Sequence, residues 1–173
     1  MNSRLTVAAF ATAFVLAMAP ATYAKSVEIG GGATYWYSID EAKDKSFDRD
    51  GLAYSVSGEI FLSDYLAIAL ELEKMPEDFV FLEKDMYLPA AYAILGDGIF
   101  LGVGVGAYYY DGEFVGDPWY ALRGGFKIPF FSGAVVLDIN VNYRTENWDD
   151  IKDAKENVGT ETLMVGAALR LAF

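Results

Sequence analysis

The chain has 173 residues and a net charge of −12, with no cysteine and no histidine. The acidity argues against a nucleic-acid partner. The missing cysteine excludes a disulfide framework or thiolate metal site, and the missing histidine removes the commonest general base and metal ligand. Hydrophobic residues make up 54% of the chain and aromatics 16%, yet beyond the N-terminus they are dispersed, unlike the long run that a helical membrane span needs.

Residues 1–4 give a short basic start, residues 5–18 an apolar run, and residues 19–24 small side chains ending at Ala24. This is the pattern of a signal peptide over 1–24, leaving one domain, 25–173.

Eight segments of that domain alternate with period two, the signature of strands with two unlike faces. The first, 27–39, sets Val27, Ile29, Ala33, Tyr35 and Tyr37 against Glu28, Thr34, Trp36 and Ser38. The second, 52–62, sets Leu52, Tyr54, Val56 and Ile60 against Ala53, Ser57, Glu59 and Phe61. The third, 65–73, sets Leu66, Ile68, Leu70 and Leu72 against Ala67, Ala69, Glu71 and Glu73. The fourth, 86–95, is apolar on both faces and contains Pro89; Leu88, Ala90, Tyr92 and Ile94 are expected outward. The fifth, 99–110, sets Leu101, Val103, Val105, Ala107 and Tyr109 against Gly102, Gly104 and Gly106. The sixth, 119–130, sets Tyr120, Leu122, Phe126, Ile128 and Phe130 against Arg123 and Lys127. The seventh, 134–145, sets Val135, Leu137, Ile139, Val141 and Tyr143 against Asp138, Asn140, Asn142 and Arg144. The eighth, 159–173, sets Leu163, Val165, Ala167, Leu169, Leu171 and Phe173 against a small, polar or charged set that includes Gly166 and Arg170.

Connections alternate between tight turns (63–64, 96–98, 131–133) and longer charged loops (40–51, 74–85, 111–118, 146–158). Each segment has about the length a tilted strand needs to cross a bilayer. Short turns on one rim and long loops on the other predict an eight-stranded antiparallel up-and-down transmembrane β-barrel, with its turns periplasmic and its loops outside. A soluble lipocalin-like barrel would turn the apolar face inward. Against it stand an apolar face free of charge in seven segments and an opposite face with few charges of both signs. Aromatics also gather near the segment ends: Tyr35, Tyr37, Tyr109, Tyr120 and Tyr143 toward the loops, and Phe126, Phe130 and Phe173 toward the turns.

The inward set then holds five acids, Glu28, Glu59, Glu71, Glu73 and Asp138, and four bases, Arg123, Lys127, Arg144 and Arg170. Depth along the strands groups Glu28, Glu59, Lys127, Asp138 and Arg170 near the turns, and Glu71, Glu73, Arg123 and Arg144 nearer the loops. Eight strands leave an interior that side chains can fill, so these charges are expected to pair as a plug; a narrow pore for ions or small solutes is the alternative.

The ending from Gly166 to Phe173, a glycine followed by alternating apolar residues and a final Phe, is similar to the terminal signal of one family. The chain resembles the small eight-stranded outer-membrane barrels of Gram-negative bacteria, of the OmpA transmembrane-domain and OmpX type. The resemblance is one of pattern and covers 26–173. It implies insertion into the cell outer membrane by the barrel-assembly machinery, with Gly166, Leu169, Leu171 and Phe173 as the assembly signal. The surroundings would be outer-membrane lipid and lipopolysaccharide. It implies no particular activity, and no wall-anchoring domain is expected after Phe173. Enzymes among barrels of this kind use a catalytic histidine, which this chain lacks, so no enzyme and no cofactor is expected.

The four loops carry net charges of −2, −2, −3 and −3 in order, most of the whole-chain charge. Acidic loops keep a surface soluble. They also offer two carboxylate sets for divalent cations bridging to lipopolysaccharide: Asp111, Glu113 and Asp117, or Asp149, Asp150, Asp153 and Glu156. Residues 79–82 continue β-forming character and predict a protruding hairpin. The expected role is a structural or surface-interaction (adhesion-like) one, carried out by a monomer whose loops meet a surface ligand.

Overall fold

The computed structural model describes residues 26–38, 50–75, 85–145 and 162–173. The signal-peptide segment 1–24, the hairpin expected at 79–82 and the acidic stretch 146–158 lie outside the described residues. Eight strands, β1 (Ser26–Ser38), β2 (Asp50–Phe61), β3 (Leu66–Met75), β4 (Met86–Leu95), β5 (Ile99–Tyr110), β6 (Glu113–Phe130), β7 (Val135–Thr145) and β8 (Thr162–Ala172), pair in chain order. All pairings are antiparallel, and β8 returns to β1 to close the barrel.

Direct pairing runs from Glu28 through Glu59, Ala69, Tyr92, Gly104, Ala121, Arg144 and Thr162, and arrives back on β1 at Ser38. The circuit is therefore displaced by ten residues along β1. With a rise of about 3.4 Å per residue and strands about 4.8 Å apart, eight strands so staggered tilt by about 41°.

The alternation in the sequence becomes an outside and an inside. Ile29, Leu52, Val56, Leu101, Val103, Val141, Val165, Leu169 and Leu171 are exposed on the outer surface, while Glu28, Glu59, Glu71, Glu73, Arg123, Asp138, Arg144 and Arg170 are buried. An exposed surface so apolar suits hydrocarbon, where the closed ladder satisfies the backbone. The turn rim is built tightly. Gly96 and Gly98 adopt left-handed φ values of 119° and 80°, and the Ser63 hydroxyl accepts from the backbone N–H groups of Tyr65 and Leu66. The start of β1 and the end of β8 meet there: Phe173 N–H donates to the Val27 carbonyl at 2.8 Å, and Val27 N–H returns the bond at 3.2 Å.

Three expectations are corrected. Leu88, Ala90, Tyr92 and Ile94 of β4 face the interior, each under 5% exposed. Directly paired residues share a face, and these four pair with Glu73, Glu71, Ala69 and Ala67 of the inward face of β3. Second, the expected loop 111–118 is mostly strand. β5 and β6 run on to a two-residue turn at Asp111–Gly112, both with positive φ, so a ribbon stands above the rim. A register shift between Gly106 and Tyr108 marks its base. Third, Ala107, at that shift, is buried instead of exposed.

Closure demands close approach between β1 and β8. A Cβ at Gly30 would overlap the Leu169 carbonyl oxygen and lie 2.7 Å from the Arg170 Cα, both backbone atoms. Gly30→Val is expected to lower stability by about 2 kcal/mol or more. Urea titration of the protein refolded in lipid vesicles measures this; an unchanged midpoint would show that the β1–β8 contact tolerates a side chain.

Candidate functional site: the barrel interior

The interior takes its charges from opposite walls. Four of the five acids stand on β1, β2 and β3, and the four bases stand on β6, β7 and β8, with Asp138 on β7 the exception. Ion pairs therefore span the barrel.

Near the turn rim, Lys127 Nζ of β6 lies 3.0 Å from Glu28 Oε2 and 2.7 Å from Glu59 Oε1. Glu28 and Glu59 are direct cross-strand partners. Like charges so placed repel, and the ammonium between them offsets that repulsion. Arg170 joins the group, 3.3 Å from Glu59 and 2.9 Å from Asp138. Asn140 donates to Asp138 at 2.8 Å.

Toward the loops, Arg123 donates through Nη2 to both oxygens of Glu71, at 2.7 and 2.9 Å. Arg144 Nη1 lies 2.6 Å from Glu73 Oε2, close in distance but not aligned as a hydrogen bond. Its Nη2 is 3.9 Å from Glu71. The structure thus brings all nine predicted charges into two groups, divided by depth as the sequence divides them.

Sequence reasoning missed the rings that carry these cations. Arg123 stacks over Tyr92 with Cζ 4.0 Å from the ring centroid, Arg144 over Trp119 at 4.4 Å, and Lys127 Nζ sits 4.5 Å from the Phe61 ring. Tyr92 also accepts from Asn142 Nδ2 at 3.1 Å. Each such contact adds roughly 2 kcal/mol where water is excluded. The signal lay in Gly102, Gly104 and Gly106. A Cβ at Gly104 would overlap the Tyr92 ring, and one at Gly106 the Trp119 ring. The glycines leave room for these rings and for Ile94, whose Cδ1 would lie 2.6 Å from a Cβ at Gly102.

Above the upper charges lies an apolar layer at the loop end of the strands. Met75 pairs with Met86, Trp36 with Met164 and Trp119 with Gly106, and Leu88 joins them; these apolar side chains are buried.

The four assembly-signal residues lie on or just beyond β8. Gly166 faces inward beside Thr34 and Asn140, and Leu169, Leu171 and Phe173 are exposed outward. Among the described residues no three carboxylates converge as a metal site; Asp111, Glu113 and Asp117 are exposed at the tip of the β5–β6 ribbon and along it. Asp149, Asp150, Asp153 and Glu156 lie outside the described residues.

A closed eight-stranded up-and-down barrel with an apolar exterior and a charged interior has the fold of the small outer-membrane barrels. The solved structure of neisserial surface protein A matches 85% of this chain and 97% of its own, at 14% identity and a TM-score of 0.57. The N-terminal β-barrel domain of OprF from Pseudomonas aeruginosa matches 87% of this chain and 98% of its own, at 17% identity and a TM-score of 0.53. No protein-family model matches the chain, and no curated protein matches it.

Near the turn rim Glu59 is shared by two cations, Lys127 and Arg170, so its neutralisation leaves both under-compensated. Glu59→Gln is expected to cost about 3 kcal/mol, and Glu28→Gln clearly less, because Lys127 then keeps Glu59. Equal urea midpoints for the two variants would contradict this ordering.

Proposed function

We propose that the protein is an outer-membrane barrel with a sealed interior, acting as a structural or surface-interaction protein through its acidic loops, without catalysis. The observation that carries this reading is the pair of ion-paired layers strung across the lumen beneath the apolar layer of Trp36, Met75, Met86, Leu88, Trp119 and Met164. A conducted ion would have to break pairs held in a narrow space and then cross a layer of mostly apolar side chains.

Placement in the outer membrane is supported by the apolar exterior and by aromatics at both rims. Tyr35 and Tyr37 are exposed near the loops, and Phe126, Phe130 and Phe173 near the turns. On this reading residues 1–24 are removed on export. The barrel-assembly machinery reads Gly166, Leu169, Leu171 and Phe173, and the barrel stands as a monomer among outer-membrane lipid and lipopolysaccharide. What meets other molecules is the loop rim, including the ribbon at Asp111–Gly112, where Asp111, Glu113 and Asp117 are exposed.

Two measurements test the reading. Purified protein in planar bilayers is expected to give no steady single-channel steps; reproducible steps would replace the sealed barrel with a pore. Cells carrying a barrel trimmed across 146–156 are expected to lose surface-partner binding while the barrel still inserts. Retained binding by the trimmed protein would remove the loops from the role.

A further inference from the structure

The outer surface carries one feature that a uniform lipid-facing band does not need. Four of the five described cations, Arg123, Lys127, Arg144 and Arg170, turn inward; Lys74 turns outward. It lies at the loop end of β3, directly paired with Tyr54 on β2 and Tyr87 on β4. Paired residues share a face, and both tyrosines are exposed. An ammonium between two phenols thus stands at the depth of the aromatic belt, where lipid headgroups begin. Asp85 meets it at 2.6 Å, with the two side chains 47% and 30% exposed. So exposed a pair is worth little in itself. It holds the ammonium at the rim without locking it away.

Below Lys74 the outward face of β4 is built from small side chains, Pro89, Ala91 and Ala93. The neighbouring strands raise walls on either side, Leu70 and Leu72 on β3, and Val103 and Val105 on β5. Lower down the trough opens into a concavity of about 440 Å³ that runs from Leu66 of β3 past Ala93 and Leu95 of β4 and Leu101 and Val103 of β5 to Leu122 of β6, with Gly102 and Arg123 also in its lining. A cation at headgroup depth on β3 and a largely apolar trough beneath it along β4 match the two ends of one molecule.

We propose that this face of β3 and β4 binds a phosphate-bearing lipid of the outer leaflet, the lipid A of lipopolysaccharide. Lys74 takes the phosphate between Tyr54 and Tyr87, and an acyl chain lies along Pro89, Ala91 and Ala93. A second copy of the barrel fits less well, because a convex wall does not fill a trough and a two-fold contact here would set one Lys74 near another. The inference rests on the outer-membrane placement proposed above but not on the sealed interior.

The test uses the whole barrel in vesicles of phosphatidylcholine doped with bisphosphorylated lipid A, extracted gently and weighed by native mass spectrometry. The parent is expected to retain lipid A. Lys74→Met should lower retention about fivefold, as one cation at a lipid surface contributes. Lys74→Arg should keep it, Ala91→Phe should lower it by filling the trough, and lipid A stripped of phosphate should not be retained. Heat-shifted gel mobility confirms that each variant has folded and inserted. Inserted Lys74→Met and Ala91→Phe barrels that hold as much lipid A as the parent would overturn the proposal, as would dimers through β4 in place of bound lipid. A parent that fails to insert at all would instead strike at the membrane placement.

Discussion

Hydrocarbon offers a backbone amide nothing to bond with, and the chain answers that constraint by closing on itself. Every strand has two neighbours, and the last meets the first from Glu28–Ala172 to Ser38–Thr162. The exception falls where it does least harm. Pro89 has no N–H to give, and the β4–β5 pairing is interrupted there, between Tyr87–Tyr109 and Ala90–Gly106. That gap coincides with the register shift from which the β5–β6 ribbon rises. A break in the ladder thus sits near the loop end of the strands, away from the middle of the span.

Closure at this strand number makes the inside narrow, and an inside so narrow has to be filled. Filling it with aliphatic side chains would satisfy packing but leave the two faces of each strand alike. A slip of one residue would then cost little, because period two exchanges the faces. Charges remove that ambiguity. A strand carrying Asp138 and Arg144, or Arg123 and Lys127, cannot slip by one without setting ions in lipid. Each basic side chain so exposed at mid-membrane costs about 2–4 kcal/mol. The buried pairs need not add net stability to specify which face is which.

The unlikeness of the two faces decides which parts of the fold were legible in the sequence. Strands with a charge or amide on one face only, such as β7 and β8, declare their inside, and the depths of those charges follow by counting along the strand. β4 has no charge on either face, so alternation alone is mute there. Its facing is dictated from outside itself, by Glu71 and Glu73 on one side and by the glycines of β5 on the other. Register is a property of two strands, and a reading that takes strands singly misses it. The stacking of Arg123 on Tyr92 was hidden for the same reason, since it joins β6 to β4 across the lumen. The true length of β6 was masked by Gly116, Asp117 and Pro118, which look like loop but lie within the strand at the register shift.

The division of charge between the walls ties the network to closure itself. The first three strands bring Glu28, Glu59, Glu71 and Glu73 with no base on their inner faces, and Glu28 and Glu59 stand directly opposite each other. In an open sheet those carboxylates repel and have no counter-charge within reach. The bases arrive only with β6, β7 and β8, and they meet the acids only when the sheet curls round. Lys127 then reaches β1 and β2, Arg123 and Arg144 reach β3, and Arg170 reaches β2. Electrostatic relief is thus withheld from the partial sheet and granted to the closed one. That adds to the backbone's own demand for a partner at each edge, so the closed barrel gains most when its last strand goes in.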